Sequence, residues 1–301
     1  MRHKGWLSVC VTVAVVLSAV QLGASEPLSI DILSLAHAAD DSPVPDLVLI
    51  QQGTIPILIT VPHGGRAPIP GIEQRDASNK IGRRVSGNWS SFVKGGDTNT
   101  DIVAQHMVSE IRAITGAAPY VVMARFQRSY VDANRPPDIA LDSPQARPYY
   151  DRYHAAIRRF VDEIRSRYPA GLLIDVHGQH LNPEVVMRGT QNGKTVARLI
   201  QRAGFDAVTG PNGIFGQLEA NGFTVFPRNS EPPRGTAENA GLNGGYTVAI
   251  YGSAMRDGID AIQMEFGSKY RQNAVLEKTG RDAGRAVAGF HAAYLMGLDR
   301  K

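Results

Sequence analysis

The sequence predicts a single α/β domain built on a mixed, mostly parallel sheet with helices on both faces. Short apolar runs alternate along the chain with longer segments of helical periodicity, as expected of strands joined by helical crossovers. The alternation of strands and helices implies a mostly parallel sheet that is covered on both faces. No internal repeat and no linker divides the 301 residues, so we expect one core.

The predicted strands are rich in β-branched and large apolar residues. In chain order they are Leu47–Ile50, Ile57–Val61, Tyr120–Arg125, Leu172–Val176 and Ala261–Phe266. The predicted helices are Ile102–Thr115, Tyr149–Tyr168, Lys194–Ala203 and Ala274–Met296. The helix from Tyr149 is the clearest, because Tyr153, Ile157, Phe160, Val161 and Ile164 fall on one face. Residues 205–250 are rich in Gly and Asn and contain several prolines, so they are predicted to form a long, loop-rich excursion.

The N-terminus is predicted to be a secretory signal peptide. Met1–Lys4 is basic, and the apolar stretch Trp6–Val20 is too short for a comfortable membrane span. Cleavage follows Ala24 or falls near Ala36–Ala38, and both alternatives remain open. We therefore expect a leader at 1–24, ending as late as 38, a loose segment at 25–46, a catalytic domain at 47–301, and a periplasmic or secreted protein.

Composition excludes several classes of function. The formal net charge is +4, to which Arg2 and Lys4 of the leader contribute, and no basic block is interleaved with aromatic residues, so no nucleic-acid partner is expected. Cys10 is the single cysteine and lies in the leader, which leaves the mature chain without a disulfide, thiol nucleophile or cysteine ligand. Beyond the leader, no run is long enough to cross a membrane. The sequence leaves the oligomeric state open.

Two histidines end predicted strands and are each followed by glycine. His63 follows Ile57–Val61, and His177 follows Leu172–Val176. Ligands of open α/β sheets bind outside the carboxyl ends of the strands, so these imidazoles are candidate metal ligands. Two imidazoles suit zinc, but a catalytic zinc site needs a third protein ligand, and Asp97 is the acidic candidate.

Asp97 begins the segment Asp97–Asp101, for which other interpretations compete. Its Asp, Thr and Asn residues are also typical of helix N-caps. The start of this segment resembles a calcium-binding EF-hand loop, but Ile102 and Val108 occupy the positions that require glycine and glutamate.

Farther along, Gly189–Thr195 ends like a phosphate-binding P-loop but has Arg188 where the motif needs glycine, which excludes nucleotide binding.

Two further features carry candidate chemistry. The run Arg128–Pro137 contains arginines and an asparagine suited to an anionic substrate, although a surface loop with Arg128 and Arg135 paired to Asp132 and Asp138 is an equal alternative. Glu265 ends an otherwise apolar strand, where an unpaired charge is costly, and it is a candidate general base.

Taken in order, these motifs resemble the N-formylglutamate amidohydrolase family over roughly residues 57–270. The residues that carry the resemblance are Pro62–Gly65, Asp97–Thr98, Arg128, Val131–Pro137, Asp175–His177, Gly244–Thr247, Tyr251–Gly252 and Ile262–Glu265. The resemblance implies a zinc-carboxypeptidase-like fold, Zn²⁺ as cofactor, and His63, Asp97 and His177 as its ligands. It also implies that Glu265 is the general acid and base, that Arg128 polarises the scissile carbonyl, and that Asn134, Arg135 and Tyr246 bind substrate.

The sequence departs from the family pattern at three positions. Gly64 and Gly178 stand where the pattern has serine after each histidine, and Asn99 stands where it has aspartate. We expect a zinc-dependent hydrolase that cleaves the amide bond of an N-acyl amino acid or a similar small-molecule or peptide substrate with a carboxylate. The alternatives are an exported metallo-carboxypeptidase or peptidoglycan-type amidase, and a non-catalytic protein on the same fold that binds a metal or carboxylate.

Overall fold

The computed structural model describes residues 46–76, 91–230 and 236–298. The predicted leader, both of its cleavage sites and nearly all of the predicted loose segment lie outside these residues. In the parts of the chain that are described, no helix is both long and apolar enough to span a membrane.

Within the described residues, one mixed sheet of seven strands has the order β1-β3-β2-β4-β7-β5-β6. The strands are β1 (Val48–Gln51), β2 (Ile57–Val61), β3 (Tyr120–Ala124), β4 (Leu172–Gln179), β5 (Val186–Gly189), β6 (Val225–Phe226) and β7 (Asp260–Gly267). The central strands β3, β2, β4 and β7 are parallel, whereas β1 and β5 pair antiparallel with β3 and β7. The predicted mixed, mostly parallel sheet is confirmed.

Helices cover both faces of this sheet, as predicted. They are α1 (Thr100–Thr115), α2 (Pro137–Ala140), α3 (Arg147–Arg167), α4 (Ala197–Ala203), α5 (Asp206–Thr209), α6 (Ile214–Ala220), α7 (Tyr246–Tyr251) and α8 (Leu276–Tyr294). Helices α1 and α8 pack against one face in one apolar cluster, and α3 packs against the other face in a second cluster. The apolar residues predicted to share one face of α3 are all fully buried.

The structure corrects the prediction in the second half of the chain. Strands β5 and β6 were not predicted, because β5 carries Arg188 among few apolar residues and β6 has only two residues. The excursion at 205–250 contains α5, α6, β6 and α7, which are too short to show a helical or strand period. The predicted helix from Lys194 begins with a 3₁₀ turn at Lys194–Val196 before α4.

The carboxyl ends of β2, β4 and β7 lie side by side, and their polar residues share one face. On this face, Thr60, Asp175 and Gln263 follow the apolar residues Leu58, Leu173 and Ala261, since alternate residues of a strand point the same way. All three polar side chains are buried. The sheet therefore has a buried polar region at the edge where α/β proteins bind ligands.

Candidate active site

His63, Asp97 and His177 form a buried cluster at this edge. His63 lies just beyond β2, His177 lies near the end of β4, and Asp97 lies in the loop before α1. Asp97 Oδ2 is 3.3 Å from His63 Nδ1 and 3.0 Å from His177 Nδ1. One potential ligand atom from each residue falls within 4.8 Å of the others. The arrangement is that of a candidate metal site with two imidazoles and one carboxylate.

Asp97 does not cap the helix. Asn99 occupies the N-cap position of α1 with a left-handed φ of 67° and makes no side-chain cap hydrogen bond. Thr100 Oγ1 donates to the Asp97 carbonyl oxygen, and the Gly178 amide donates to Asp97 Oδ2. Burial alone would raise the pKa of Asp97, but the two imidazoles lower it well below its usual value. Asp97 is therefore held as a carboxylate that faces both histidines.

Two further carboxylates, those of Asp132 and Asp175, lie on the other side of the imidazoles. His63 Nε2 is 2.8 Å from Asp132 Oδ1, and His177 Nε2 is 2.9 Å from Asp175 Oδ2. Burial lowers the pKa of His177, but the neighbouring carboxylates, Asp175 first, raise it well above its usual value. Both Nδ1 atoms thus face Asp97 Oδ2, while both Nε2 atoms face the carboxylates of Asp132 and Asp175. Carboxylates placed in this way orient metal-binding histidines in proteins.

The Arg128–Pro137 run is not a solvated surface loop. Arg128 and Asp132 are both buried, and Arg128 Nε donates to Asp132 Oδ2 over 2.8 Å. The same carboxylate contacts His63, so Arg128 is fixed one side chain away from the histidine cluster. Burial alone would raise the pKa of Asp132, but Arg128 and His63 lower it well below its usual value.

Glu265 lies opposite His177 in the register of the neighbouring strands. Its carboxylate is buried; Oε1 accepts a hydrogen bond from Gln263 Nε2, and Oε2 has no hydrogen-bond partner among the described residues. Burial raises the pKa of Glu265 to about 7. A buried carboxyl with one free oxygen and a pKa near neutrality is suited to carry a proton.

These groups open onto one cleft of about 500 Å³. Its lining includes the candidate ligands together with Arg128, Asn134, Arg135 and Glu265. Leu181 and residues 240–245 also line the cleft. The cleft is large enough for a small molecule or a short peptide.

Asn134 lines this cleft, and Tyr246 directly follows Gly245, which also lines it. Asn134 Oδ1 accepts from the Thr247 amide, and Asn134 Nδ2 lies 3.1 Å from His177 Nε2. The Tyr246 ring packs against His154 with 5.9 Å between ring centroids. Arg135 keeps its guanidinium beside the cleft, where Nη1 donates to the Asn134 carbonyl oxygen.

Asp132, Asp175 and Gln263 belong to the motifs that carry the resemblance, but the sequence assigned none of them a role in the site, and Asp132 was otherwise considered as an ion-pair partner. Asp175 and Gln263 carry a local signal, because each lies two residues before a site residue and so shares its face of the strand. Asp132 carries no such signal, since its contact with His63 spans 69 positions along the chain. Pairing across that distance depends on the path of a loop.

The fold and the histidine cluster together define an α/β protein with a candidate metal centre at the carboxyl edge of its sheet. No family model and no curated protein matches the sequence. Among solved structures, the chain is similar to N-formylglutamate amidohydrolase from Ralstonia eutropha JMP134, with a TM-score of 0.53 and 17% identity over 83% of this chain and 99% of that one. This similarity shows the fold that the resemblance had implied.

More distant structural matches have lower scores. A gene product of Agrobacterium tumefaciens gives a TM-score of 0.48 at 14% identity, covering 81% of this chain and 96% of that one. The N-acetylmuramyl-L-alanine amidase of Mycobacterium smegmatis gives 0.35 at 16% identity, covering 79% and 97%.

Proposed function

We propose that this protein is a zinc-dependent hydrolase that cleaves the amide bond of an N-acyl amino acid or a similar carboxylate-bearing substrate. The observation that carries the proposal is the convergence of His63, Asp97 and His177 on one cleft that Glu265 and Arg128 also line. The residues that would hold the metal, move the proton and stabilise the developing charge are thus all present at one place.

The donor set fits zinc. Two imidazole nitrogens and one carboxylate oxygen are typical of catalytic zinc sites, which use three protein ligands and leave a further position open. The buried carboxylates Asp132 and Asp175 fix both rings through Nε2, which leaves Nδ1 of each for the metal. When bound, zinc polarises a carbonyl group and lowers the pKa of water to about 7.

Glu265 is the proton carrier in this proposal. Its free Oε2 accepts the proton of the attacking water and then delivers it to the leaving amine, while Gln263 keeps the carboxyl group in place through Oε1. The pKa of about 7 favours both steps at neutral pH.

Arg128 supplies positive charge for the oxyanion that forms when water adds to the amide carbonyl. Asp132 anchors its Nε, so the guanidinium is oriented before substrate arrives and needs little reorganisation. Arg135 lies in the same cleft and is the cation available for the carboxylate of the substrate. Its position supports a substrate with a carboxylate close to the scissile amide.

The proposal is tested by the metal content of the purified mature protein and by chelator-sensitive hydrolysis. The panel comprises N-formyl amino acids, N-acetyl amino acids and short peptides. We expect stoichiometric zinc, loss of hydrolysis on chelation and its return with Zn²⁺. A preference for peptides would instead favour the carboxypeptidase or peptidoglycan-type amidase, and bound zinc without any cleavage would favour a non-catalytic protein. Absence of metal would contradict the proposal.

Export is a second part of this proposal. The basic and apolar character of residues 1–20 supports a leader that directs the protein to the periplasm or outside the cell. N-terminal sequencing of the protein recovered from periplasm and medium tests this, and recovery of the uncleaved chain from the cytoplasm alone would contradict it.

A further inference from the structure

Arg271 is a buried arginine that the proposed mechanism does not use. It ends the 3₁₀ turn Ser268–Arg271 after β7, and only 4% of its surface is exposed. Its guanidinium donates to three backbone carbonyl oxygens, those of Phe266, Thr98 and Gln179, at 2.9, 2.5 and 3.2 Å. Burial of a charged guanidinium among neutral carbonyl groups costs free energy. We therefore expect its three hydrogen bonds to serve the structure.

The three carbonyls belong to the three segments that carry the candidate site. Thr98 follows Asp97, Gln179 lies two residues after His177, and Phe266 follows Glu265. One side chain therefore links the loop before α1 to the ends of β4 and β7. The planar fork of arginine suits this task because its donors have fixed relative directions.

The loop before α1 also donates a hydrogen bond to Arg271. Asn99 Nδ2 donates to the Arg271 carbonyl oxygen over 2.8 Å, while Arg271 Nη1 donates to the carbonyl of the preceding residue, Thr98. An aspartate at position 99 would have no N–H for this bond. The side chains of Asn99 and Arg271 therefore both hold the loop before α1 against the turn after β7.

Gly178 provides the space that Arg271 occupies. A Cβ atom at position 178 would lie 2.4 Å from both Cζ and Nε of Arg271, closer than any real contact. The absence of a side chain at 178 and the presence of arginine at 271 are therefore matched to each other. Gly178 directly follows His177, so a displacement here reaches a candidate metal ligand at once.

We propose that Arg271 is a positioning residue, matched to Gly178 and Asn99, which fixes Asp97, His177 and Glu265 relative to one another. This inference rests on the proposed function for its effect on catalysis, while the contacts themselves do not depend on it. The expected consequence is a preformed metal site whose affinity for zinc depends on a side chain that does not touch the metal.

The test compares Arg271→Met and Arg271→Lys with Arg281→Met, an exposed arginine that pairs with Glu110 and Glu277. Zinc affinity is measured by competition with a chromophoric chelator, together with kcat, KM and the melting temperature. We expect Arg271→Met to weaken zinc binding about 10- to 100-fold and to lower kcat more than it changes KM. Arg281→Met should leave zinc binding unchanged. A folded Arg271→Met variant with unchanged zinc affinity and kcat, and only a lower melting temperature, would overturn the proposal.

A double-mutant cycle with Gly178→Ala tests the matching of the two residues. Because Gly178→Ala already displaces the guanidinium, we expect Arg271→Met to weaken zinc binding much less in that background than in the wild type. If the two substitutions weaken zinc binding by independent factors that multiply in the double variant, the proposed matching of the two residues is overturned. If Arg271→Met does not fold, Gly178→Ala and Arg271→Lys decide through the same zinc titration. A wild-type protein that binds no zinc contradicts the proposed function instead, and the cycle is then judged from melting temperatures.

Discussion

The two faces of the central sheet are equally buried but differ at the carboxyl ends of the strands, where one of them, here called the polar face, carries polar side chains. On β4, Leu172, Ile174 and Val176 face α1 and α8, whereas Leu173, Asp175 and His177 share the face covered by α3. On β7, Ile262, Met264 and Phe266 repeat the apolar face. Ala261, Gln263 and Glu265 repeat the change from apolar to polar toward the carboxyl end.

This difference separates stability from chemistry within single strands. The apolar face is stabilised by removal of side-chain surface from water, at roughly 25 cal/mol per Å². The apolar residues of the other face, packed under α3, are stabilised in the same way. Its polar groups near the carboxyl ends of the strands must in addition be satisfied, as Thr60 is by donating to Asp175 and the Gly245 amide is by donating to Gln263. Glu265 Oε2 is one of the buried polar atoms without a hydrogen-bond partner among the described residues, and it faces the cleft.

The largest expected effect is on the polar face. Glu265→Gln keeps the size of the side chain and can still accept from Gln263, but it cannot carry a proton. We expect kcat to fall on the order of 10²- to 10⁴-fold while zinc content and melting temperature are maintained. Steady-state kinetics with metal analysis check this, and Met264→Leu on the other face is the matched control. Full activity in Glu265→Gln would remove its assigned role.

Substitution of Met264, the neighbouring residue on the apolar face, should lower stability and leave kcat unchanged. Met264 is fully buried, and Met264→Ala leaves a cavity in the apolar cluster that also includes residues of α1 and α8. We expect the free energy of unfolding to fall by about 2–5 kcal/mol, with kcat per folded molecule preserved. Urea unfolding and active-site-normalised kinetics measure the two quantities. Loss of kcat in the folded variant would mean that the faces are not separate.

The carboxylates behind the imidazoles should have intermediate effects. Asp175→Asn and Asp132→Asn weaken the groups that orient His177 and His63. We expect zinc affinity to fall about 10- to 100-fold for each. Asp101→Asn is the control, because Asp101 pairs with the exposed Arg66 instead of with an imidazole. Zinc binding that is unaltered in both test variants would show that the rings need no such orientation.

The smallest expected effect concerns His154, which lies on the polar face of the fold. Its Nε2 donates to the Ala133 carbonyl oxygen, and burial lowers its pKa to about 4. The unfolded chain therefore binds more protons than the folded one between about pH 6.5 and pH 4, so stability is full above this range and falls as the pH decreases. We expect a loss on the order of 1–3 kcal/mol from this group.

Urea unfolding of the wild type and His154→Gln at pH 7.5 and pH 5 isolates this contribution. The wild type should lose more stability than the variant between the two values. An identical loss in both proteins would show that His154 titrates alike in the folded and unfolded states.

Much of the fold could be predicted because its signals are local. The runs that became β2, β3, β4 and β7 are rich in large apolar residues, and the two-sided character of α3 is visible in its period. Strands β5 and β6 escaped prediction because they lie at the side of the sheet beyond β7 and are held by pairing rather than by composition. Glu238, a buried carboxylate, also escaped prediction, because its contact with Arg188 crosses 50 positions.

The tertiary structure gives a physical reason for the departures from the family pattern at Gly64, Gly178 and Asn99. A Cβ atom at Gly64 would lie 2.6 Å from the Asp101 amide nitrogen, so α1 leaves no room for a side chain there. Gly178 and Asn99 both contact Arg271, a residue that the sequence did not single out. These positions are adjusted to local packing in this chain.

The sequence by itself determined the fold class and placed histidines and acids at strand ends, because strand periodicity and the position of strand ends are local properties. The tertiary structure decided which carboxylates meet which imidazoles, that Glu265 lies opposite His177, and that Arg271 joins their segments. These are consequences of strand register and loop path, which are fixed by contacts between residues far apart in the chain. Register is set by the fit of whole buried faces, so no single motif encodes it.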